Sequence, residues 1–130
     1  MKKNFKYSFQ YYIDKAINKF KNRTYLIDEN NPKKNIRFSD LNKFLINLNY
    51  FLEKNRISNQ KKVLICLNNN NITGLILIGL IYFNRIVIPV NPAFKKKNIE
   101  FIIKNSRPDF IITDREYNNL FKGIKVNKTF

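Results

Sequence analysis

The sequence predicts an α/β fold: a βαβαβ parallel sheet flanked by helices, preceded by an N-terminal helix and a short β-hairpin. Three observations carry that expectation. "KKVLICL", "RIVIPV" and "DFIITD" are apolar at consecutive positions instead of alternating, as strands buried on both faces are. The stretches between them are each long enough for a helix, and strand–helix alternation implies parallel strands joined by right-handed crossovers. Upstream of all three, two segments repeat their apolar residues with a 3.6-residue period.

Taken in order, residues 8–21 read as an amphipathic helix. Phe9, Tyr12, Ile13, Ala16, Ile17 and Phe20 fall at offsets 0, 3, 4, 7, 8 and 11, which is one helical face. Thr24–Asp28 and Asn35–Phe38 read as two short strands, with the polar Asn-Asn-Pro between them as the turn of a hairpin. Ser39 has the side chain of an N-cap for the helix that follows. That helix carries Leu41, Phe44, Leu45, Leu48, Phe51 and Leu52 on one stripe and ends near Lys54-Asn55. Val63–Leu67 is the first strand of the sheet. The "NNNN" loop at 68–71 then offers Asn71 as a cap for an apolar helix, Ile72–Phe83. Asn84 suits the left-handed position that ends a helix. Ile86–Val90, rich in β-branched residues, is the second strand. "NPAFKKK" leads into a third helix with Ile99, Ile102 and Ile103 on one side, and Asp109–Thr113 is the third strand. Residues 115–130 form a tail to which the pattern assigns no element.

The segment from Ile72 onward must be distinguished from a membrane span. Its uninterrupted apolar run is a dozen residues, whereas a span needs about 20. Extension to Val90 reaches that length only by taking in Asn84, Arg85 and Pro89, and a central Arg costs roughly 2.5–3.5 kcal/mol on insertion scales. A buried helix turning into a buried strand is the better reading, with no transmembrane span. Such a helix, apolar all round, needs cover on every side. Leaving ~400 Å² of it wet forfeits about 10 kcal/mol at ~25 cal/mol per Å². Full cover calls for more chain or for a partner.

Composition bounds the function. The 130 residues are the size of one domain, and 44% hydrophobic content with 15% aromatics supports a core and excludes disorder. A net charge of +16 is a cue for nucleic acid or an anionic membrane. Here the lysines are scattered through a chain crowded with Asn, Ile, Phe and Tyr, the bias of an AT-rich coding sequence. Only Lys95-Lys96-Lys97 cluster, and aromatic–basic interleaving of the RNA-binding kind is missing. A basic nucleic-acid-binding protein is therefore an alternative that the residues do not favour. A stand-alone protein-interaction module, using exposed apolar surface, is a second. Cys66 is the one cysteine and sits in an apolar run, so it reads as an inert buried thiol. No disulfide framework exists, and a reducing, cytoplasmic location is the expectation. The absence of His excludes every His-based triad or metal site. "MKKNFKYSFQYYIDKA" is basic but has no apolar core, so it is not a secretory signal. Asn-x-Thr sequons at Asn22, Asn71 and Asn127 are the chance product of so Asn-rich a chain.

The order of these pieces resembles the N-terminal portion of the adenylate-forming (AMP-binding) enzyme superfamily, on its acyl-CoA synthetase side. "IRFSDLNKFLINLNYFLEKN" is similar to the family's aromatic–Ser/Thr–x–x–Leu entry into a long amphipathic helix. "KKVLICLNNN" resembles its strand ending in an Asn-containing loop, and "GLIYFNRIVIPVNPAF" its helix, turn, strand and Pro-x-Asn-Pro. "IEFIIKNSRPDFIITD" resembles the helix and strand that follow. The likeness spans about residues 9–114. It implies a single, incomplete N-terminal subdomain, residues 1–130, of an AMP-dependent ligase. In the intact family, ATP and a carboxylic acid give an acyl-adenylate and pyrophosphate with Mg2+ assisting, and a thiol such as CoA then takes the acyl group. Two departures stand out. Asn84 stands where the family has Gly, and Gln60-Lys61 where it has a Gly-Asp pair. The family's phosphate-binding loop and catalytic lysine have no counterpart in these residues. The resemblance therefore implies an inactive scaffold whose partner is the remainder of the synthetase.

A search from the residues upward finds no chemistry of its own. A phosphate cradle needs glycines in a loop ahead of Lys and Ser or Thr. Gly74, Gly79 and Gly123 are the three glycines, and none is so placed. Gly74 and Gly79 fall in the apolar helix, where they permit close packing. The carboxylates Asp14, Asp28, Glu29, Asp40, Glu53, Glu100, Asp109, Asp114 and Glu116 show no metal-type spacing and read as surface or capping groups. Lys95–Lys97 read as wet surface, and opposing the helix dipole at an N-terminus they are not a good cap. No catalytic residue, cofactor-binding residue or metal ligand is assigned.

Overall fold

The computed structural model describes residues 8–130. The first seven residues, part of the segment read above as no secretory signal, lie outside them. The chain forms two compact units, one built from residues up to Ile57 with Asn70–Phe83, the other from Ser58–Asn69 with Asn84–Phe130.

The first unit is helical. Helix α1 (Phe9–Phe20) opens at Ser8, whose Oγ accepts the Tyr11 N–H at 3.1 Å. Strands β1 (Thr24–Leu26) and β2 (Ile36–Arg37) pair antiparallel around a 3-10 turn at Pro32–Lys34, which is the expected hairpin with shorter arms. Asp28 ends the first arm. Its N–H turns to Asn35 Oδ1 at 2.8 Å, and its carboxylate accepts the N–H groups of Asn30 and Asn31. Helix α2 (Phe38–Lys54) begins two residues earlier than Ser39 would have set it. Its N-cap is Arg37, which has no side-chain acceptor; Asp40 reaches back instead to take the Arg37 N–H at 3.0 Å. Helix α3 (Asn71–Tyr82) is likewise capped one residue before the expected Asn71. Asn70 Oδ1 accepts the Thr73 N–H at 3.0 Å, while the Asn71 amide donates to the Lys34 carbonyl.

Ile17, Leu41, Leu45 and Leu75 form the core of this unit, with Leu26, Phe38, Phe44 and Ile78 packed around them. The two glycines of α3 are where close approach is needed. A Cβ on Gly79 would lie 2.4 Å from Leu48 Cδ2 and 3.1 Å from the Phe44 ring, and one on Gly74 3.2 Å from Leu26. Cover of α3 within these residues is partial: Leu75, Gly79 and Leu80 are buried, but Ile72 is 62% and Ile81 43% exposed. Its apolar circumference is wider than the cover it receives, and isolated exposed aliphatics are ordinary.

The second unit is the sheet. Strands β3 (Lys62–Cys66), β4 (Ile86–Pro89) and β5 (Phe110–Thr113) follow the predicted positions to within a residue, and helix α4 (Lys96–Ser106) lies between the last two in sequence. A strand that the pattern did not reveal, β6 (Lys128–Thr129), extends the sheet to the order β4-β3-β5-β6, parallel throughout. Val63 stands opposite both Val87 and Phe110, so β3 is central. That position explains why Val63–Cys66 are buried without alternation. Leu64, Cys66, Val90, Ile99, Ile111 and Phe121 make the core. Phe121 comes from a 3-10 helix, Arg115–Phe121, and Ile124 and Val126 also pack here, so the unassigned tail closes part of this core.

Three turns of this unit use left-handed backbone without glycine. Asn84 takes φ 59°, as its position after the apolar helix implied, and Gln60 takes φ 61°. The two are joined, Gln60 N–H donating to the Asn84 carbonyl at 2.8 Å. Arg107, at φ 50°, ends α4 and donates its N–H to the Ile103 carbonyl at 2.8 Å. Among the described residues no helix is long and apolar enough to cross a membrane.

Candidate functional site

The strand order creates one place where a parallel sheet offers a crevice. From β3 the chain proceeds to β4 on one side, and from β5 to β6 on the other. Between the carboxyl ends of β3 and β5 the connections therefore diverge, the position at which open α/β sheets take their ligands. In this chain the position holds Cys66, Asn68, Thr113, Asp114, Glu116 and Tyr117.

These residues bond to one another across about 47 positions of sequence. The Asn68 N–H donates to Asp114 Oδ2 at 2.8 Å, and the Asn68 side-chain amide donates to Glu116 Oε1. Tyr117 donates its hydroxyl proton to Asn68 Oδ1 at 2.6 Å. Asn68 thereby presents donors to two carboxylates and an acceptor to a phenol. Below it Cys66 is fully buried and free. Burial pushes its thiol up, the Asp114 charge pushes the same way, and a hydrogen bond with Thr113 opposes them. A thiol so placed stays protonated at neutral pH and is a poor nucleophile. The arrangement holds the 115–121 segment to the end of the sheet.

At the opposite ends of the same strands lies a second polar tie. Asp109 accepts the Lys62 N–H at 2.8 Å and the Lys61 ammonium at 3.2 Å, while Lys62 Nζ donates to the Ser106 carbonyl at 2.9 Å. The Lys62 amide bond, reinforced by the Lys61 charge, holds the Asp109 carboxyl below the usual carboxylate range against a smaller opposing effect of desolvation. Lys61, noted as a charge reversal relative to the family pattern, thus has an acidic partner.

The other residues singled out in the sequence fall apart in space or serve local structure. Lys95 is the N-cap of α4 and Lys96 and Lys97 its first turn, all exposed, with no acidic residue in that turn. Asp28 and Asp40 serve a turn and a helix start, Glu53 accepts from the Asn49 amide, and Asp14 accepts the Tyr82 hydroxyl at 2.7 Å. Glu29 and Glu100 are exposed. Sequence reasoning missed the Asn68 network and the Asp109 tie. No local signal marks either, because their partners lie 44 to 49 residues apart.

Among the described residues no three Cys, Asp or Glu side chains come together as a metal site. Gly74 and Gly79 are filled against side chains, and Gly123, at φ 86°, stands in open space instead of opening a helix.

The fold itself is widely shared. A luciferase-like enzyme from the nonluminescent mealworm Zophobas morio matches all of this chain and 33% of its own, with 22% identity and a TM-score of 0.83. A putative long-chain-fatty-acid CoA ligase from Rhodopseudomonas palustris matches 95% of this chain and 32% of its own, at 16% identity and a TM-score of 0.82. Klebsiella oxytoca NpsA, solved in complex with 3-hydroxyanthranilyl-AMSN, matches 82% of this chain and 21% of its own, at 18% identity and a TM-score of 0.75. Likeness at these identities is likeness of fold, and this chain spans only a fifth to a third of those proteins. Comparison with curated proteins finds no significant match. A family model described as AMP-binding enzyme covers residues 13–129, nearly the whole chain. By that match over residues 13–129, this chain belongs to the AMP-binding enzyme family.

Proposed function

We propose that this chain is the N-terminal scaffold of an adenylate-forming ligase of the acyl-CoA synthetase type, a single incomplete subdomain of a larger cytoplasmic enzyme. In that enzyme ATP and a carboxylic acid give acyl-adenylate and pyrophosphate, and a thiol such as CoA takes the acyl group. ATP, Mg2+ and CoA are held by residues outside these 130. The remainder of the synthetase, on the same or a separate chain, covers the exposed apolar side chains. Nucleic acid is not the favoured partner.

The observation that carries this reading is the family match over residues 13–129, taken with side chains at the sheet's crevice that are bonded to each other. The experiment is carboxylate-dependent exchange of pyrophosphate into ATP by the purified 130-residue chain. Exchange no higher than the buffer blank is expected, and clear exchange would overturn the scaffold assignment. The ligase assignment is tested separately by the reading frame downstream of Phe130. It should encode a loop rich in Gly, Ser and Thr followed by Lys, and a frame without one removes that assignment.

A further inference from the structure

We draw no further inference here: the strongest candidate, the shallow groove of the helical unit lined by Gln10, Asn42, Leu45, Ile46, Asn49 and Tyr82, carries nothing because nothing in the structure shows what covers it.

Discussion

The helical unit and the sheet unit are held by different physics. In the helical unit the decisive contact is a close approach, Gly79 of α3 against Leu48 and Phe44 of α2, where even one added methyl has no room. Its helices are otherwise ordinary amphipathic pieces whose buried stripes meet in one aliphatic cluster. The glycine of the sheet unit, Gly123, marks no such approach, since a Cβ there would meet nothing within 4 Å. Its strands lie side by side by backbone ladders, and polar ties at both ends lock the chain: Asp109 at one, Asn68 with Asp114 and Glu116 at the other. Three of its non-glycine residues take left-handed backbone, against one, Arg56, in the helical unit. Packing shape governs one unit, and backbone conformation with end bonding governs the other. Substitutions of one kind should therefore be felt unequally by the two.

Four substitutions test that contrast. The largest effect belongs to Gly79→Leu, which forces a side chain into space already held by Leu48 and Phe44. Overpacking of this kind costs about 1–3 kcal/mol, so the midpoint of urea unfolding should fall clearly, with loss of amide exchange protection in α2 and α3. A midpoint unchanged from the wild type would remove close packing as the organising contact of the helical unit.

Next is Asp109→Ala. It removes the acceptor of the Lys62 N–H and the partner of Lys61, a loss of about 1–2 kcal/mol once the value of a charged hydrogen bond is discounted for the partial exposure of both side chains. It also has a pH signature. The folded carboxyl titrates below its unfolded value, so the unfolded state binds more protons between the two. Stability from this group is complete above the unfolded value of about 3.9 and disappears as pH falls through the folded one. The wild type should lose stability more steeply than the variant below about pH 4. Parallel curves would show that the tie contributes nothing.

Smaller, and opposite in sign, is Gln60→Gly. A β-carbon in left-handed backbone costs about 1–2 kcal/mol. Glycine relieves this while adding about 0.5–1 kcal/mol of unfolded-state entropy. A net gain of about 0.5 kcal/mol should raise the unfolding midpoint slightly. Asn84→Gly should change it least of all, because Asn already tolerates this conformation. A larger gain at Asn84 than at Gln60 would mean that φ alone does not set the strain in these turns.

How much of this was legible from the residues follows the same division. The α2 stripe from Leu41 to Leu52 is periodic over more than three turns, so the helix and its buried face are plain from the residues alone. The unbroken apolar runs at 63–67 and 86–90 announced parallel strands, and cover on both faces holds for β3, whereas β4, at the sheet edge, leaves Ile86 and Pro89 exposed; Asn84 announced its own left-handed turn. The caps were displaced. Ser39 and Asn71 have the right chemistry, yet Asp40 reaching back to Arg37 and Asn70 reaching forward to Thr73 satisfy the same orphan amides one or two residues earlier. Nothing local could choose between such neighbours. Strand β6 was invisible because two exposed residues, Lys128 and Thr129, carry no hydrophobic pattern, and only the free edge of β5 makes them a strand.

By itself the sequence determined the main helices and strands up to Thr113 and their order, since periodicity and apolar runs are written in adjacent residues. From that order came the family to which the chain belongs. Only the tertiary structure decided which strands are neighbours and which carboxylates have partners. It also decided where glycine is needed to let two helices touch. Those are distances between residues tens of positions apart, and no local pattern encodes a distance.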